Sequence, residues 1–519
     1  MGLRNRESRD MNLGRIVGFA VLVGSLAGLA GAAEETTLAD AAEHGDGVLV
    51  RELILDGADV NGRQVDGMTA LHWAVYRDDL ETAALLVKSG ADVNAENSYG
   101  VPPLSIAAMN RSATIVTLLL GAGADAQASL RGGETILMTA ARTGSLKAVK
   151  ALLLKGADPN KRERSNQTAL MWAAAEGHLS VVDALVEAGA DVHASLNSGF
   201  TSLFFAVREG HIDVARTLLT AGVDVNEVLQ RVPDGPDRPV NNASYRPVDE
   251  GMSPLLLAVR NGHFELAVEL IKAGADPNDQ RTGFTPLHTM SWVRKPDASD
   301  RGDPSPIGSG RLTPLQFVRS LVALGADVNT RLTRSTRAPH TASRLDTSGA
   351  TAFLMAADRA DESLMHLLLD LGADPFIPNA ELSTPLMAAA GLGTSAPEEE
   401  AGTEAEAAIA TQLLLDLGAD IDAVNDNGDT AMHGAAYGNF PMIVHVLAAN
   451  GADSNVWKER NKLGRTPLFI AEGHRGGLPR LSRPTIDAVE SLMLAAGLPT
   501  DGQRPEIVDQ YSRPATQQQ

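Results

Sequence analysis

The triplet Gly-Ala-Asp recurs along this chain at a spacing that leaves one kind of architecture. It stands at 57–59, 90–92, 123–125, 156–158 and 189–191, with Gly-Val-Asp at 222–224, and every step is 33 residues. A fixed period of that size means stacked supersecondary units, none able to bury its apolar face alone. The register resumes at Gly274, Gly325, Gly372, Gly418 and Gly451 after steps of 52, 51, 47, 46 and 33 residues, and a degenerate copy stands at Gly497. A chain of 519 residues would otherwise suggest several globular domains. The repeat predicts one elongated array whose core grows with each copy.

One unit, read from Gly67, shows what each copy is. Thr69 offers a hydroxyl to the free amides of a first helical turn, and Leu71, Ala74 and Val75 follow at helical spacing. In Ser253-Pro254, Thr285-Pro286, Thr384-Pro385 and Thr466-Pro467 the proline stands where its missing N–H costs nothing. A second helix is predicted over Leu80–Lys88, and Gly90 ends it where a left-handed residue is needed. Asp92 and Asn94 are turn formers. The unit is helix, tight turn, helix, then an extended loop or hairpin finger.

These residues resemble the ankyrin repeat, with its 33-residue period and its T-P-L-H-x-A signature. The resemblance runs from about Leu38 to Thr500. Copies open near 34, 67, 100, 133, 167, 199, 251, 283, 349, 383, 428 and 464. It implies an all-α solenoid of about twelve stacked units over 34–501, interrupted by four or five loop insertions. The full signature stands at Thr285–His288; His72 and His433 keep its His, and Ser105, Met138, Met171, Phe204 or Met387 fill the slot elsewhere. The hydrogen bonds that the family assigns to that His therefore lack a bearer in most copies.

The N-terminus reads as an address. Arg4, Arg6, Arg9 and Arg15 precede an uncharged run at Ile16–Ala30, then Ala30-Gly31-Ala32. Basic region, apolar region and an A-x-A site predict a signal peptide over 1–33, with Met11 as an alternative start. The expected location is periplasmic or secreted; an uncleaved Ile16–Ala30 would instead make a membrane anchor. Abundant alanine, and arginine in excess of lysine, fit a GC-rich bacterial genome. Residues 502–519, ending in three glutamines, read as a disordered tail.

The net charge of −21 argues against nucleic acid as a partner. The absence of cysteine excludes disulfides, thiol catalysis and Cys-based metal sites. Of the twelve histidines, His72, His288 and His433 hold the signature slot, and His178, His211 and His263 follow Gly at the helix–helix turn. The others are scattered without ligand spacing. Phosphate-cradling, dinucleotide and nucleophile-elbow motifs are missing. The repeated Asp-x-Asn suits turn chemistry better than calcium, which needs more carboxylates. No catalytic residue, cofactor or metal is expected.

What remains is surface. In the family, partners are bound by loop tips and by exposed positions late in the first helix. Carried onto this chain, the implied groove comprises Val65, Asp66, Met68, Tyr76, Arg77, Tyr99, Met109, Asn110, Arg131 and Arg142. It continues through Phe200, Arg208, Glu209, Arg260, Asn261, Phe284, Trp292 and Tyr437. Aromatic, Met and Arg side chains are the types that anchor interfaces. Trp73 and Trp172 lie earlier on the first helix, where packing between copies is expected.

The period breaks at Asn226–Gly251, Arg294–Arg311, Asn329–Gly349, Leu392–Glu406 and Gly473–Pro484. These segments read as loops, rich in Pro, Gly and Ser. The third carries a basic cluster, Arg331, Arg334, Arg337, His340 and Arg344, expected to stay solvated and attract an acidic partner. The expected function is an exported, non-enzymatic module that binds another protein. Alternatives are an accessory or inhibitory subunit of an exported enzyme, and an enzyme or ligand-binding protein with its site in the insertions.

Overall fold

The computed structural model describes residues 36–229, 250–297, 305–335, 343–397, 400–474 and 481–500. The expected signal peptide, the C-terminal tail, Arg337 and His340 lie outside them. Where the period predicts one continuous array, the chain divides into two compact units, residues 1–194 and 195–519.

In the first unit α1 (Leu38–His44) pairs with α2 (Gly47–Leu55), α3 (Ala70–Tyr76) with α4 (Leu80–Lys88), and α5 (Pro103–Met109) with α6 (Ala113–Gly121). Then α7 (Ile136–Thr143) pairs with α8 (Leu146–Leu154), and α9 (Ala169–Ala175) with α10 (Leu179–Glu187). First helices pack on first helices and second on second: α3 lies between α1 and α5, and α4 between α2 and α6.

The second unit repeats the scheme. Its pairs begin with α11 (Ser202–Glu209) and α12 (Ile212–Thr220), α13 (Pro254–Arg260) and α14 (Phe264–Lys272), and α15 (Pro286–Arg294) and α16 (Pro314–Ala323). They continue with α17 (Ala352–Asp358) and α18 (Glu362–Asp370), α19 (Pro385–Ala389) and α20 (Glu404–Asp416), and α21 (Ala431–Gly438) and α22 (Pro441–Ala449). A short α23 (Ser454–Trp457) precedes the last pair, α24 (Pro467–Ala471) and α25 (Arg483–Ala495). The described residues contain no β-strand. The expected fingers show only isolated bridges, Arg63 with Thr69, Ser129 with Thr135 and Ser195 with Thr201.

Local chemistry sets the helix bounds. Thr69 caps α3 by accepting from the His72 N–H, and Thr285 caps α15 from His288, with Pro286 in the first turn. Gly90 ends α4 at φ 91°, a conformation that a side chain would strain. The first helices are short and apolar on nearly every face: all of α3 but Tyr76 is buried. Small residues let them stack closely, while Leu71, Leu86, Leu104, Ile115 and Leu119 fill the space between layers.

The Asp-x-Asn triplets are seams between copies. The Asn61 amide donates to Gly90 O at 3.2 Å, and its oxygen accepts from the Asp92 N–H at 2.7 Å. Asn94 does the same to Gly123 and Asp125, and Asn160 to Gly189 and Asp191. In the second unit Asn226, Asn278 and Asn329 reach Gly274, Gly325 and Gly372 in the same way. Each Asp in turn accepts from the N–H two residues on, as Asp59 does from Asn61 at 2.9 Å. The side chains that a calcium site would use are spent on backbone. Phe376 occupies the Asn slot of the next copy and cannot make the seam.

Candidate protein-binding surface

Four histidines of the signature slot and the helix–helix turn, His72, His288, His178 and His263, bond to backbone of a neighbouring copy. His72 donates from Nε2 to Val101 O in the next copy at 3.0 Å, while its Nδ1 accepts from the Thr69 N–H at 3.2 Å. His288 repeats this toward Ala350 O at 3.1 Å. Burial pushes both imidazoles below their usual range, His288 to about 4, so both are neutral at pH 7. The histidines of the helix–helix turn face the other way. His178 bonds to Arg142 O and His263 to Arg208 O, each at 3.0 Å and each in the preceding copy. The His178 ring sits where a Cβ on Gly144 would come within 2.6 Å, at a glycine with φ 74°. Among the described residues no three His, Cys, Asp or Glu side chains converge on a metal position. Nor is any described helix long and apolar enough to cross a membrane.

Around α3 and α5 the implied groove residues separate into anchors and supports. Val65 is fully exposed, Tyr99 is 59% exposed at the next finger, and Tyr76 is 50% exposed at the end of α3. The Tyr76 ring stands edge-on to Trp73 at 5.7 Å, and Trp73 is fixed by its indole N–H donating to Gln64 Oε1. Met109 is half-buried, one copy along from Tyr76. Asp66 is exposed, and its carboxylate accepts from the Met68 N–H at 3.0 Å.

Of the other implied groove residues, three are buried rather than exposed, and the rest are exposed or half-buried and make contacts within the chain. Met68, Phe200 and Phe284 are no more than 8% exposed and belong to the packing between copies. Phe200 lies 5.4 Å from both Phe204 and Phe205, and Phe284 meets Trp292 edge-on at 4.8 Å. Asn110 and Asn261 spend their amides on the preceding copy, at Val75 O and Tyr76 O, and at Arg208 O. Arg77 donates from Nε to Glu43 O at 2.6 Å, and Arg131 from Nη2 to Ser98 O at 2.8 Å. Arg142 stands 5.6 Å over the Trp172 ring and 3.6 Å from Glu134.

In the second unit Arg208 lies 5.0 Å over Phe205 and pairs with exposed Glu209 at 2.9 Å. Arg260 is half-buried. Tyr437 is half-buried beside the Asn461 amide, and burial raises its phenol above the usual range. The basic loop is not simply solvated. Arg331 donates to Gly349 O and Pro378 O, each at 2.9 Å, and Arg334 to Arg281 O at 2.8 Å. These cations stitch neighbouring copies together while they stay exposed, as Arg344 does.

Stacked helix pairs, seams of backbone-directed amides and a face carrying exposed tyrosines define a class: an all-α repeat solenoid. The profile described as ankyrin repeats in three copies matches residues 38–130, 104–195, 137–228 and 403–488, and the single ankyrin repeat matches 250–281. More than half of the chain is covered, and the protein belongs to the ankyrin-repeat family. Ankyrin repeats are protein–protein interaction modules and are generally not enzymes.

Proposed function

We infer that this protein is an exported, non-enzymatic scaffold that binds another protein through the face bearing Val65, Tyr76 and Tyr99. The observation that carries the reading is their exposure, 106%, 50% and 59%, on copies whose other large apolar groups are mostly covered. Tyrosine offers a large rigid surface with a polar end, at little entropic cost on ordering. The rim is polar and held in place, with Arg77 and Arg131 tied to neighbouring carbonyls and Asp66 at the finger. Such a preorganised face loses little on docking.

Export rests on the Arg-rich start, the apolar run and the A-x-A site. A photo-crosslinking residue in place of Tyr99 tests binding and location together. Adducts with one protein of the envelope or medium are expected, on a chain beginning at Ala33 or Glu34. Adducts from outer-helix Leu154 but none from position 99 would contradict the surface. An intact N-terminus in the cytosol would contradict export.

A further inference from the structure

Charge is unevenly spread along the first unit. Residues 133–166 hold seven Lys and Arg against three Asp and Glu, in a protein of net charge −21. The next copy, 167–198, holds four Asp and Glu and no Lys or Arg. Copies of a solenoid stand side by side, so a step of charge in sequence is also a step in space.

Backbone ties place that step on the face that bears Tyr76 and Tyr99. Neighbouring finger tips touch in order: the Ser98 N–H donates to Asp66 O at 2.9 Å, Arg131 Nη2 to Ser98 O at 2.8 Å, and the Arg164 N–H to Gly132 O at 3.3 Å. The exposed side chains along this row are Val65, Tyr99, Arg131 and Arg164. The ends of the first helices form a second row. Asn110 donates to Tyr76 O at 3.1 Å, Thr143 Oγ1 to Ala108 O at 3.1 Å, and His178 Nε2 to Arg142 O at 3.0 Å. Its side chains run Tyr76, Met109, Arg142 and then exposed Glu176. Both rows turn from aromatic and apolar to cationic at the copy that opens at 133.

The carboxylates among these cations are occupied within the chain. Glu134 accepts from Thr139 Oγ1 at 2.8 Å and lies 3.6 Å from Arg142. Glu163 accepts from the Ser165 and Gln167 N–H groups at 2.7 and 3.0 Å. Exposed Arg164 pairs with no described carboxylate. At the aromatic end Asp66 stands beside Val65 and Arg77 beside Tyr76, two charges of opposite sign.

Resting on the reading of this face as the binding surface, we propose that its partner is an extended acidic segment of another protein. Aromatic or aliphatic side chains of that segment lie over Tyr76 and Tyr99, and its carboxylates over Arg131, Arg142 and Arg164. Packed helices stand about 10 Å apart and an extended chain advances about 3.3 Å per residue. The carboxylates should therefore lie about three and six positions from the apolar residue. A few carboxylates suit the patch better than a long polyanion, because Glu176 closes one row and the copy beyond carries no cation.

Selection of a random linear-peptide display library on the full chain tests this, with the enriched peptides then synthesised and their binding kinetics measured. Enrichment of Asp or Glu about three and six positions from an aromatic or aliphatic residue is expected. Exposed charge pairs contribute little each, so Arg131→Ser with Arg164→Ser should weaken those peptides roughly tenfold, chiefly in association rate, and flatten the salt dependence. Arg164→Glu removes no ion pair within the chain and should move the selection toward Lys and Arg at the outer position. Tyr76→Ala with Tyr99→Ala should weaken the same peptides at least about thirtyfold. Enriched peptides that are neutral or basic, yet sensitive to the tyrosines, overturn the acidic partner and leave the binding face standing. Peptides insensitive to both tyrosines overturn the face itself and the proposal with it. A parent selection no different from that of the Arg131→Ser, Arg164→Ser variant also overturns the proposal.

Discussion

Asn94 accepts a hydrogen bond of 2.8 Å from the backbone N–H of Asp125, 31 residues along the chain. Its own amide donates to Gly123 O, so one side chain closes both backbone groups at the end of the next copy. A net hydrogen bond contributes about 1 kcal/mol, more where a polar group is left unmet. Asn94→Ala should therefore cost roughly 2 kcal/mol in urea unfolding. Asn94→Asp, which keeps the acceptor and loses the donor, should fall between it and the parent.

The neutral histidines predict an acid-side loss of stability. His288 has a folded pKa of about 4, below its unfolded value of 6.5. The stability from its neutral ring is complete above 6.5 and declines as pH falls from there toward 4. An NMR titration should find the His288 ring changing state near 4; a midpoint near 6.5 would mean the ring is not buried as described.

Met68→Ala, Phe200→Ala and Phe284→Ala should each destabilise by about 3 kcal/mol, since each empties a packed position. Tyr76→Ala and Tyr99→Ala, cut from half-exposed positions, should leave the urea midpoint nearly where it was.

Removing residues 133–165 should leave a folded, helical first unit. Asn166, at φ 65°, then takes the place of Gly133 at φ 86°, and Gln127 meets Gly189 and Asp191 as it now meets Gly156 and Asp158. Nearest-neighbour stacking predicts a modest fall in melting temperature by circular dichroism. Loss of all helix would show that the copies are not interchangeable.

The fold was legible because its signals are local and repeated. Thr69 before an apolar run, proline after a capping hydroxyl and Gly90 after Lys88 each mark a helix end that the structure keeps. The seams were not legible from turn propensity: Asn94 forms a turn and also crosses to the next copy, and the second role shows only once the copies are stacked. Position within the unit also failed to separate exposed from buried groups. Val65 and Met68 are three residues apart in one finger, yet one is bare and the other covered. The arginines of the basic cluster suggested long-range attraction, while Arg331 and Arg334 are held by carbonyls of neighbouring copies, a contact set by an insertion's path.

The most direct measurement is the affinity of the cross-linked partner, once purified, for the parent chain and for the Tyr76→Ala, Tyr99→Ala double variant, by titration calorimetry. Truncating true anchors costs about 2 kcal/mol or more, so the variant should bind at least thirtyfold more weakly with its melting curve unchanged. Equal affinity in the two proteins would contradict the assignment of this face as the binding surface.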